Sequence, residues 1–250
     1  MITLELLWWV GLAWFSAWVA LPLLALPLLG PVMGLVVWAL LAPWSALAGM
    51  ALIHRLLPAS AVGTFKLFSD RGAVCWALKG WAPSLYLTVF QPICFMNEGF
   101  QRIALRAFGA HLAPGALLTS RTIIREPHHV RVGAGTLVGE YVHLICSYQP
   151  RSKLLVVGEI EIGDRVLVGA YSHLGPGVRI GADCQLEYAV RVGARSTVGA
   201  GTSIGAGSSI YNLVRIGDGV TIGKGCLIPS GARIPDGARI PDGTVMTLGG

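Results

Sequence analysis

Histidine is the residue type in this sequence best suited to acid–base chemistry, and the 250-residue chain contains six histidines. An imidazole titrates near neutral pH, so it can take a proton from a hydroxyl or amine that attacks an acyl group. His143 and Glu161 are 18 residues apart, and each directly precedes an aliphatic residue. If the two side chains lie together, the carboxylate fixes the imidazole tautomer and stabilises its cation. This pair is therefore the leading candidate for general-base catalysis.

Two further histidines remain open as candidates for the same role. His129 follows His128 in a segment that breaks the surrounding sequence pattern, and His173 lies in a separate column of outward positions. The alternative for His143 and Glu161 is an ordinary surface ion pair, which contributes about 0–1 kcal/mol to stability.

A six-residue repeat positions these side chains. It runs from Val132 to Met246 without a slip in phase, and it combines an aliphatic residue, usually followed by glycine, with small or polar residues. A period of six held this long predicts short strands joined by tight turns and stacked as a coil with the aliphatics inside. If three hexads make one triangular coil, each side chain stacks on the residue 18 positions later. The first positions of the hexads are Val132, Val138, Leu144, Pro150, Val156, Ile162, Val168, Leu174, Ile180, Leu186, Val192, Val198, Ile204, Ile210, Ile216, Ile222, Ile228, Ile234 and Ile240, of which only Pro150 is not aliphatic.

The N-terminal part has the composition of a membrane segment. Residues 6–53 contain no charged residue and no histidine, although 13% of the whole chain is charged. This stretch is long enough for two spans of about 20 residues each, at 6–29 and 32–53, with Gly30-Pro31 as the turn. Basic residues follow the second span, which predicts that both ends and the repeat domain face the cytoplasm. We therefore expect a multi-pass protein of the cell inner membrane, and a cleaved signal peptide is disfavoured because no basic region precedes residue 6.

The segment between the membrane hairpin and the repeats is aromatic but interrupted by Lys79 and two prolines. It predicts one or two helices over residues 73–100 that lie in the membrane interface, with Trp76, Trp81 and Tyr86 at headgroup depth. The alternative is that these aromatics pack against the foot of the coil. The predicted organisation is a transmembrane hairpin at 1–58, interfacial and connector helices at 59–107, and a β-helix at 108–250.

The repeats resemble a known superfamily. The runs Ile162-Gly163-Asp164-Arg165-Val166-Leu167, Pro176-Gly177-Val178-Arg179-Ile180-Gly181 and Ile216-Gly217-Asp218-Gly219-Val220-Thr221 are similar to those of hexapeptide-repeat acyltransferases. The resemblance covers residues 108–245 and implies an all-β, left-handed parallel β-helix that transfers acyl groups from coenzyme A. A second resemblance takes in Gly63-Thr64-Phe65-Lys66-Leu67-Phe68-Ser69 and Leu105-Arg106-Ala107-Phe108-Gly109-Ala110. These segments resemble the membrane-embedded C-terminal modules of Pls-type poly-amino-acid synthetases, which implies acyl or aminoacyl transfer at the membrane.

The superfamily resemblance sets expectations for the site. It implies acyl-CoA as a co-substrate, with no tightly bound cofactor, and an acceptor that is a saccharide, an amino-acid polymer or a carrier-bound molecule. The 18-residue spacing continues from Glu161 through Arg179, Arg215 and Arg233, and a basic strip of this kind can receive the phosphates of coenzyme A. The resemblance also implies a homotrimer, whereas the membrane part leaves open a monomer or a pairing with another membrane module.

One position departs from the superfamily pattern. Many sugar and antibiotic acetyltransferases of this type carry their base in a His-Pro context, and the matching residue here is Gln149, which cannot act as a base. Either His143 replaces it, or the chemistry differs, or the protein is inactive. Residues 146–155 have the least regular composition within the repeat, and they predict either a loop over the site, with Arg151 and Lys153 facing an anion, or a plain turn.

Several functional classes are excluded or disfavoured. No dense run of lysine and arginine indicates nucleic-acid binding, although the net charge is +6. The five cysteines are widely spaced without a CxxC pair, so no metal site or disulfide framework is expected. The zinc site of γ-class carbonic anhydrases, which share the fold, requires a Gly-His pair, but Gly169 is followed by Ala170. The serious alternative to an acyltransferase is a non-catalytic, membrane-tethered scaffold.

Overall fold

The computed structural model describes residues 2–25, 30–67, 69–119, 121–149 and 153–247. Within these ranges, four α-helices occupy most of the N-terminal part, and short strands wind into a parallel coil in the C-terminal part. The helices are α1 (Ile2–Ala20), α2 (Pro31–Leu56), α3 (Arg71–Met96) and α4 (Glu98–Ala107), with 3₁₀ turns at Leu21–Ala25 and Pro127–His129. The strands are β1 (Gly63–Lys66), β2 (His111–Leu112), β3 (Leu117–Leu118), β4 (Ile123–Ile124), β5 (Val130–Val132), β6 (Leu137–Val138), β7 (His143–Leu144), β8 (Ser147–Tyr148), β9 (Leu154–Val157), β10 (Ile160–Ile162), β11 (Leu167–Val168), β12 (His173–Leu174), β13 (Arg179–Ile180), β14 (Gln185–Leu186), β15 (Arg191–Val192), β16 (Thr197–Val198), β17 (Ser203–Ile204), β18 (Ser209–Ile210), β19 (Arg215–Ile216), β20 (Thr221–Ile222), β21 (Leu227–Ile228), β22 (Arg233–Ile234) and β23 (Arg239–Ile240).

The coil has three parallel sheets as its faces, as the hexads predict. The first face is ordered β2-β5-β10-β13-β16-β19-β22, the second runs from β3 to β23, and the third is ordered β4-β7-β12-β15-β18-β21. The aliphatic first position of each hexad points inward, and Val168, Leu174 and Ile204 have no exposed surface. Stacking these positions produces one continuous apolar core along the coil axis, so the predicted parallel β-helix is confirmed.

A hairpin leaves the coil between its second and third turns. Strands β8 and β9 pair antiparallel, and β1 from the N-terminal part adds to the outer edge of β9. The backbone N–H of Gly158 donates to the carbonyl of Cys146 at 2.8 Å, so the two ends of this excursion meet. We call residues 147–158 the excursion. Of the two alternatives that the sequence left open for residues 146–155, the structure therefore has the loop and not the plain turn.

The excursion changes which residues stack. His143 pairs with His173, a step of 30 residues rather than 18, and Glu161 pairs with Arg131 and Arg179 on the first face. The prediction that Glu161 lies beside His143 is therefore wrong. The physical reason is that the excursion adds two hexads of chain, which preserves the six-residue phase but displaces every later residue by two faces.

The N-terminal helices form a second packed unit. Helices α1 and α2 pack together across Gly30, whose φ of 74° suits glycine, as expected for the predicted turn. Helix α3 packs against α2 as one continuous helix despite Pro83 and Pro92. Tyr86 is fully buried between them, and its hydroxyl donates to the Pro43 carbonyl at 2.9 Å. Tyr86 therefore packs in the helical core, where this hydrogen bond satisfies its hydroxyl, and the headgroup depth of Trp76, Trp81 and Tyr86 stays a prediction.

Among the described residues, one helical segment is long and apolar enough to cross a membrane, Val32–Leu56. The apolar helical stretch before it, Trp9–Leu24, is shorter than a span requires. Helix α1 ends at Ala20 and the chain tightens into a 3₁₀ turn that contains Pro22, which cannot continue the α-helical hydrogen bonding. The end of the predicted first span, residues 26–29, lies outside the described residues. The predicted multi-pass topology is therefore not supported.

Candidate active site

A cavity of about 690 Å³ lies between α3 and the third face of the coil. Helix α3 forms one wall, the ends of β4 and β7 form the second, and the excursion forms the third. The cavity brings together His143 and Gln149, the residues that the sequence singles out as base and as departure from the superfamily pattern. The lining residues are Trp76, Ala77, Gly80, Trp81, Ser84, Ile123, Arg125, Glu126, His143, Leu144, Ile145, Ser147, Tyr148, Gln149 and Leu155.

His143 is the outward residue of β7 and is half-buried. Its partner on the next coil is His173, and the two rings meet edge to face with centroids 4.7 Å apart. Burial lowers the pKa of His173, and the neighbouring His143 and Arg191 lower it further. Because two cations at this distance repel each other, the lowered pKa favours a neutral imidazole at His173.

Glu126 is a buried carboxyl group in the same cavity and was not predicted as a site residue. Its exposure is 7%, and the Ser147 hydroxyl donates to its Oε1 at 2.6 Å. Burial raises the pKa of Glu126, while interactions with Ser147, Trp76 and Arg125 oppose that rise. The only sequence signal for this residue is its place in the irregular segment before β5, which drew attention to His129 instead.

His129 lies at the joint between the helices and the coil, and it does not line the cavity. It is 3% exposed, and its Nε2 is 2.9 Å from the Ser60 hydroxyl. Burial lowers its pKa, although Glu159 opposes this effect. The structure thus separates His129 from His143.

The basic strip lies on a different face from His143. Arg179, Arg215 and Arg233 stack through Thr197 along the first face, in the predicted register. The guanidinium of Arg179 is 3.5 Å from the Glu161 carboxylate; Arg179 is largely exposed and Glu161 is half-buried. The cation that stacks next to His173 on the third face is Arg191, at the 18-residue spacing that the sequence predicts.

The excursion covers one side of the cavity, which is the position predicted for a loop over the site. Ser147, Tyr148, Gln149 and Leu155 face the cavity. The Lys153 carbonyl, at the tip of the hairpin, accepts a hydrogen bond of 3.0 Å from Leu67, so the loop is anchored to the segment after β1. The predicted role of Arg151 cannot be placed because residues 150–152 lie outside the described residues.

The match to a family model agrees with the six-residue repeat of the coil. Residues 159–194 and 201–236 match the family model described as bacterial transferase hexapeptide (six repeats). A solved structure of AntD, an N-acyltransferase from Bacillus cereus in complex with dTDP and 3-hydroxybutyryl-CoA, is 16% identical with a TM-score of 0.44, covering 53% of this chain and 80% of that chain. A hexapeptide-repeat acetyltransferase from Vibrio cholerae, complexed with acetyl coenzyme A, is 15% identical with a TM-score of 0.48, covering 64% of this chain and 87% of that one. No curated protein sequence matches the chain.

The three-faced coil and the matched repeats define a class of protein, the hexapeptide-repeat β-helices. Residues 159–194 and 201–236 thus carry the six-residue repeats of a family model that is named for bacterial transferases, as the sequence predicts.

Proposed function

We propose that the protein is an acyltransferase that moves an acyl group, such as acetyl, from a coenzyme A thioester to a hydroxyl or amine. The acceptor binds in the cavity beside α3, and His143 acts as the general base. The observation that carries the proposal is that His143 faces a cavity of about 690 Å³, with the ring of His173 against it edge to face. A cavity of this size suits a small polar acceptor.

The reaction follows from the position of the imidazole. His143 removes the proton as the acceptor oxygen or nitrogen attacks the thioester carbonyl, which forms a tetrahedral oxyanion. As the carbon–sulfur bond breaks, the imidazolium returns its proton to the departing thiolate of coenzyme A. The amide of Gln149 faces the same cavity and can donate a hydrogen bond to the oxyanion, although it cannot take the proton.

The phosphates of coenzyme A require cations outside the cavity. Arg191 stacks beside His173 on the third face, and Arg179, Arg215 and Arg233 run along the first face. Arginine binds phosphate through two parallel hydrogen bonds, so either column suits the nucleotide part of the donor. The acceptor remains a saccharide, an amino-acid polymer or a carrier-bound molecule.

We also propose that the N-terminal helices attach the protein to the cytoplasmic side of the inner membrane. Large apolar side chains on these helices face outward, including Trp9 at 70%, Val32 at 73% and Leu40 at 65% exposure. An apolar surface of this kind is costly in water and favourable in lipid. The segment Val32–Leu56 has the length and apolarity to enter the bilayer.

The test is acyl transfer by the full chain in detergent micelles, with acetyl-CoA and a panel of saccharide and amine acceptors. His143→Ala is expected to lower the rate by about 100-fold or more, the contribution of a general base. Ser209→Ala, at an outward position of the same face but three coils beyond β7, is the matched control and should leave the rate unchanged.

Two results would contradict parts of the proposal. Full activity in His143→Ala would remove His143 from the mechanism. If calorimetry shows that the intact protein does not bind coenzyme A at all, the membrane-tethered scaffold becomes the better account.

A further inference from the structure

A second cavity adjoins the first, and no step of the proposed reaction uses it. Its volume is about 230 Å³, and residues of α3, of α4 and of the chain around β4 form its walls. Ser84, Ile123 and Arg125 line both cavities, so a molecule in the first cavity can extend into the second at these residues. The polar side chains of the second cavity are those of Ser84, Thr88, Gln91, Gln101, Thr122 and Arg125.

Gln101 on α4 presents a buried oxygen that lacks a hydrogen-bond donor. The residue is 4% exposed, and its Nε2 donates to the Thr122 carbonyl at 3.3 Å. Thr122 lines the second cavity as well, so the amide end of Gln101 lies at the cavity wall. No described residue donates a hydrogen bond to Gln101 Oε1. A buried acceptor without a donor is unfavourable, which indicates that a bound molecule supplies an O–H or N–H group here.

The cavity is much larger than a single water needs. A water molecule occupies about 30 Å³ in the liquid, whereas the cavity measures about 230 Å³. One water could satisfy Gln101 Oε1, but it would leave most of this space unfilled. The volume therefore suits a ring-sized group that carries its own hydrogen-bond donor.

The lining of the second cavity selects the chemistry of that group. Hydroxyl and amide groups donate and accept hydrogen bonds, and none of the described lining residues is acidic. A hydrocarbon chain would leave these groups unpaired, and a cationic group would meet Arg125 without a counter-charge. A sugar unit presents hydroxyls at the edge of its ring and C–H groups on its faces. Leu87 and Leu105 provide apolar surface for such a face beside the polar groups.

Arg125 lies at the junction of the two cavities, since it lines both. Its side chain is exposed, so it is free of the hydrogen bonds that hold a buried guanidinium in place. A guanidinium has five N–H donors in a fixed fork, which can bind two neighbouring oxygens of one ligand. This position suits the oxygens around the linkage between two sugar units.

We propose that the second cavity is a subsite for a neutral sugar unit, joined to the unit that is acylated beside His143. The acceptor is then an oligosaccharide of at least two units. A hydroxyl of the second unit donates to Gln101 Oε1, and Arg125 binds oxygens at the linkage. This assignment rests on the proposed function for the reaction itself, but binding of the sugar is a separate property that is measured without turnover.

The test compares the binding of disaccharides and monosaccharides to the full chain in phospholipid nanodiscs, by NMR titration of the sugar signals. The disaccharide probes are cellobiose, lactose and N,N′-diacetylchitobiose, and the monosaccharide probes are glucose, galactose and N-acetylglucosamine. At least one disaccharide is expected to bind tenfold or more tightly than its monosaccharide, because hydrogen bonds in the second cavity add to those in the first.

Two pairs of variants locate the second unit. Thr88→Phe fills the second cavity from an exposed position and should reduce the affinity for the disaccharide to that for the monosaccharide, whereas Val89→Phe, its exposed neighbour outside the cavity, should change neither affinity. Gln101→Met removes the buried amide and should weaken disaccharide binding about tenfold. Gln185→Met, at an exposed position on the second face of the coil, is its control. Because Thr88 is exposed, its variant should fold even if Gln101→Met does not.

His143→Ala separates this proposal from the catalytic one. It should abolish acetyl transfer and keep the preference for the disaccharide. If the preference is present but transfer does not depend on His143, the subsite stands and the assignment of the base is wrong.

Three outcomes would overturn the subsite. The first is an unaltered protein that binds no disaccharide more tightly than its monosaccharide, which would leave the second cavity to water. The second is a preference that survives both Thr88→Phe and Gln101→Met, which would place the second unit elsewhere. The third is tighter binding of the dipeptide alanylalanine than of every disaccharide, which would assign the cavity to a peptide unit.

Discussion

At Glu126, burial and hydrogen bonding have opposite effects on the pKa of the carboxyl group. A carboxylate at 7% exposure loses most of its hydration, and the hydroxyl of Ser147 compensates for only part of that loss. Burial therefore raises the pKa of Glu126. A folded-state pKa above the unfolded value means that protonation of Glu126 stabilises the fold at low pH. That stabilisation is lost as the pH rises through the raised pKa.

Replacing this carboxyl with an amide should remove the free-energy cost of burying a negative charge in the folded protein. We expect Glu126→Gln to raise the midpoint of thermal unfolding at pH 7, because the amide oxygen still accepts from Ser147 and no charge is buried. The advantage should shrink as the pH falls and should vanish below about 4.5, where the carboxyl is protonated in both states. Thermal melts from pH 4 to pH 8 measure this. A variant that is less stable at pH 7 would show that Arg125 and Trp76 hold a charged Glu126 favourably.

The excursion is the element that adds a cavity to an otherwise regular coil. It supplies one wall of the cavity, and β9 binds the N-terminal part through β1. A small apolar cluster of Ala73, Leu155 and Val157 packs beneath the hairpin, with Trp76 against it. The excursion thus positions α3 against the third face. Its ends meet at Cys146 and Gly158, so the coil itself does not depend on it.

Deletion of residues 147–158 should leave the β-helix folded and remove the activity. Joining residue 146 to residue 159 restores an 18-residue coil, since the excursion is two hexads long. We expect an unchanged β-sheet signal in circular dichroism and a loss of acyl transfer of at least tenfold. Deletion of residues 197–214, which make up one complete coil distant from the cavity, is the control and should retain transfer. Activity in the first deletion would show that the excursion does not shape the site.

At the scale of the whole molecule, three histidines join the helices to the coil. His54 at the end of α2 contacts His128, with ring centroids 5.3 Å apart, and His128 contacts His129 at 4.4 Å. Burial, the neighbouring His129 and His54, and Lys79 lower the pKa of His128 from 6.5 to about 3. The fold therefore holds a neutral His128. Its contribution to stability is complete above pH 6.5 and is lost as the pH falls from 6.5 towards 3.

Acidification should consequently weaken the joint between the two parts. Between pH 6.5 and pH 4 we expect His128 to lower the free energy of unfolding by up to about 1.4 kcal/mol per pH unit. His128→Asn should flatten this dependence, because it cannot be protonated, whereas His111→Asn on the exposed first coil should leave it unchanged. Urea titrations followed by tryptophan fluorescence measure both. An equal pH dependence in all three proteins would place the proton-sensitive group elsewhere.

The sequence predicted the parts of the molecule that depend on local pattern. Buried aliphatics such as Leu174 and Ile204 recur every six residues because the coil turns a corner at that interval, so periodicity alone indicates a three-faced coil with a continuous core. The irregular composition of residues 146–155 indicated a loop. The burial of Tyr86 could not be predicted in the same way, because an aromatic residue suits a membrane interface and a protein core equally well.

What the sequence determined by itself is the phase of the repeat, and with it which residues point inward and which point outward. Which outward residues meet was decided only by the tertiary structure. His143 and Glu161 keep their hexad positions, yet the excursion places Glu161 beside Arg131 on the first face and His143 beside His173 on the third. An insertion of two hexads leaves the period unchanged but advances the chain by two of three faces. The periodicity of the sequence therefore does not reveal the insertion. Only the hydrogen bonds that close the excursion determine the face on which the cavity forms.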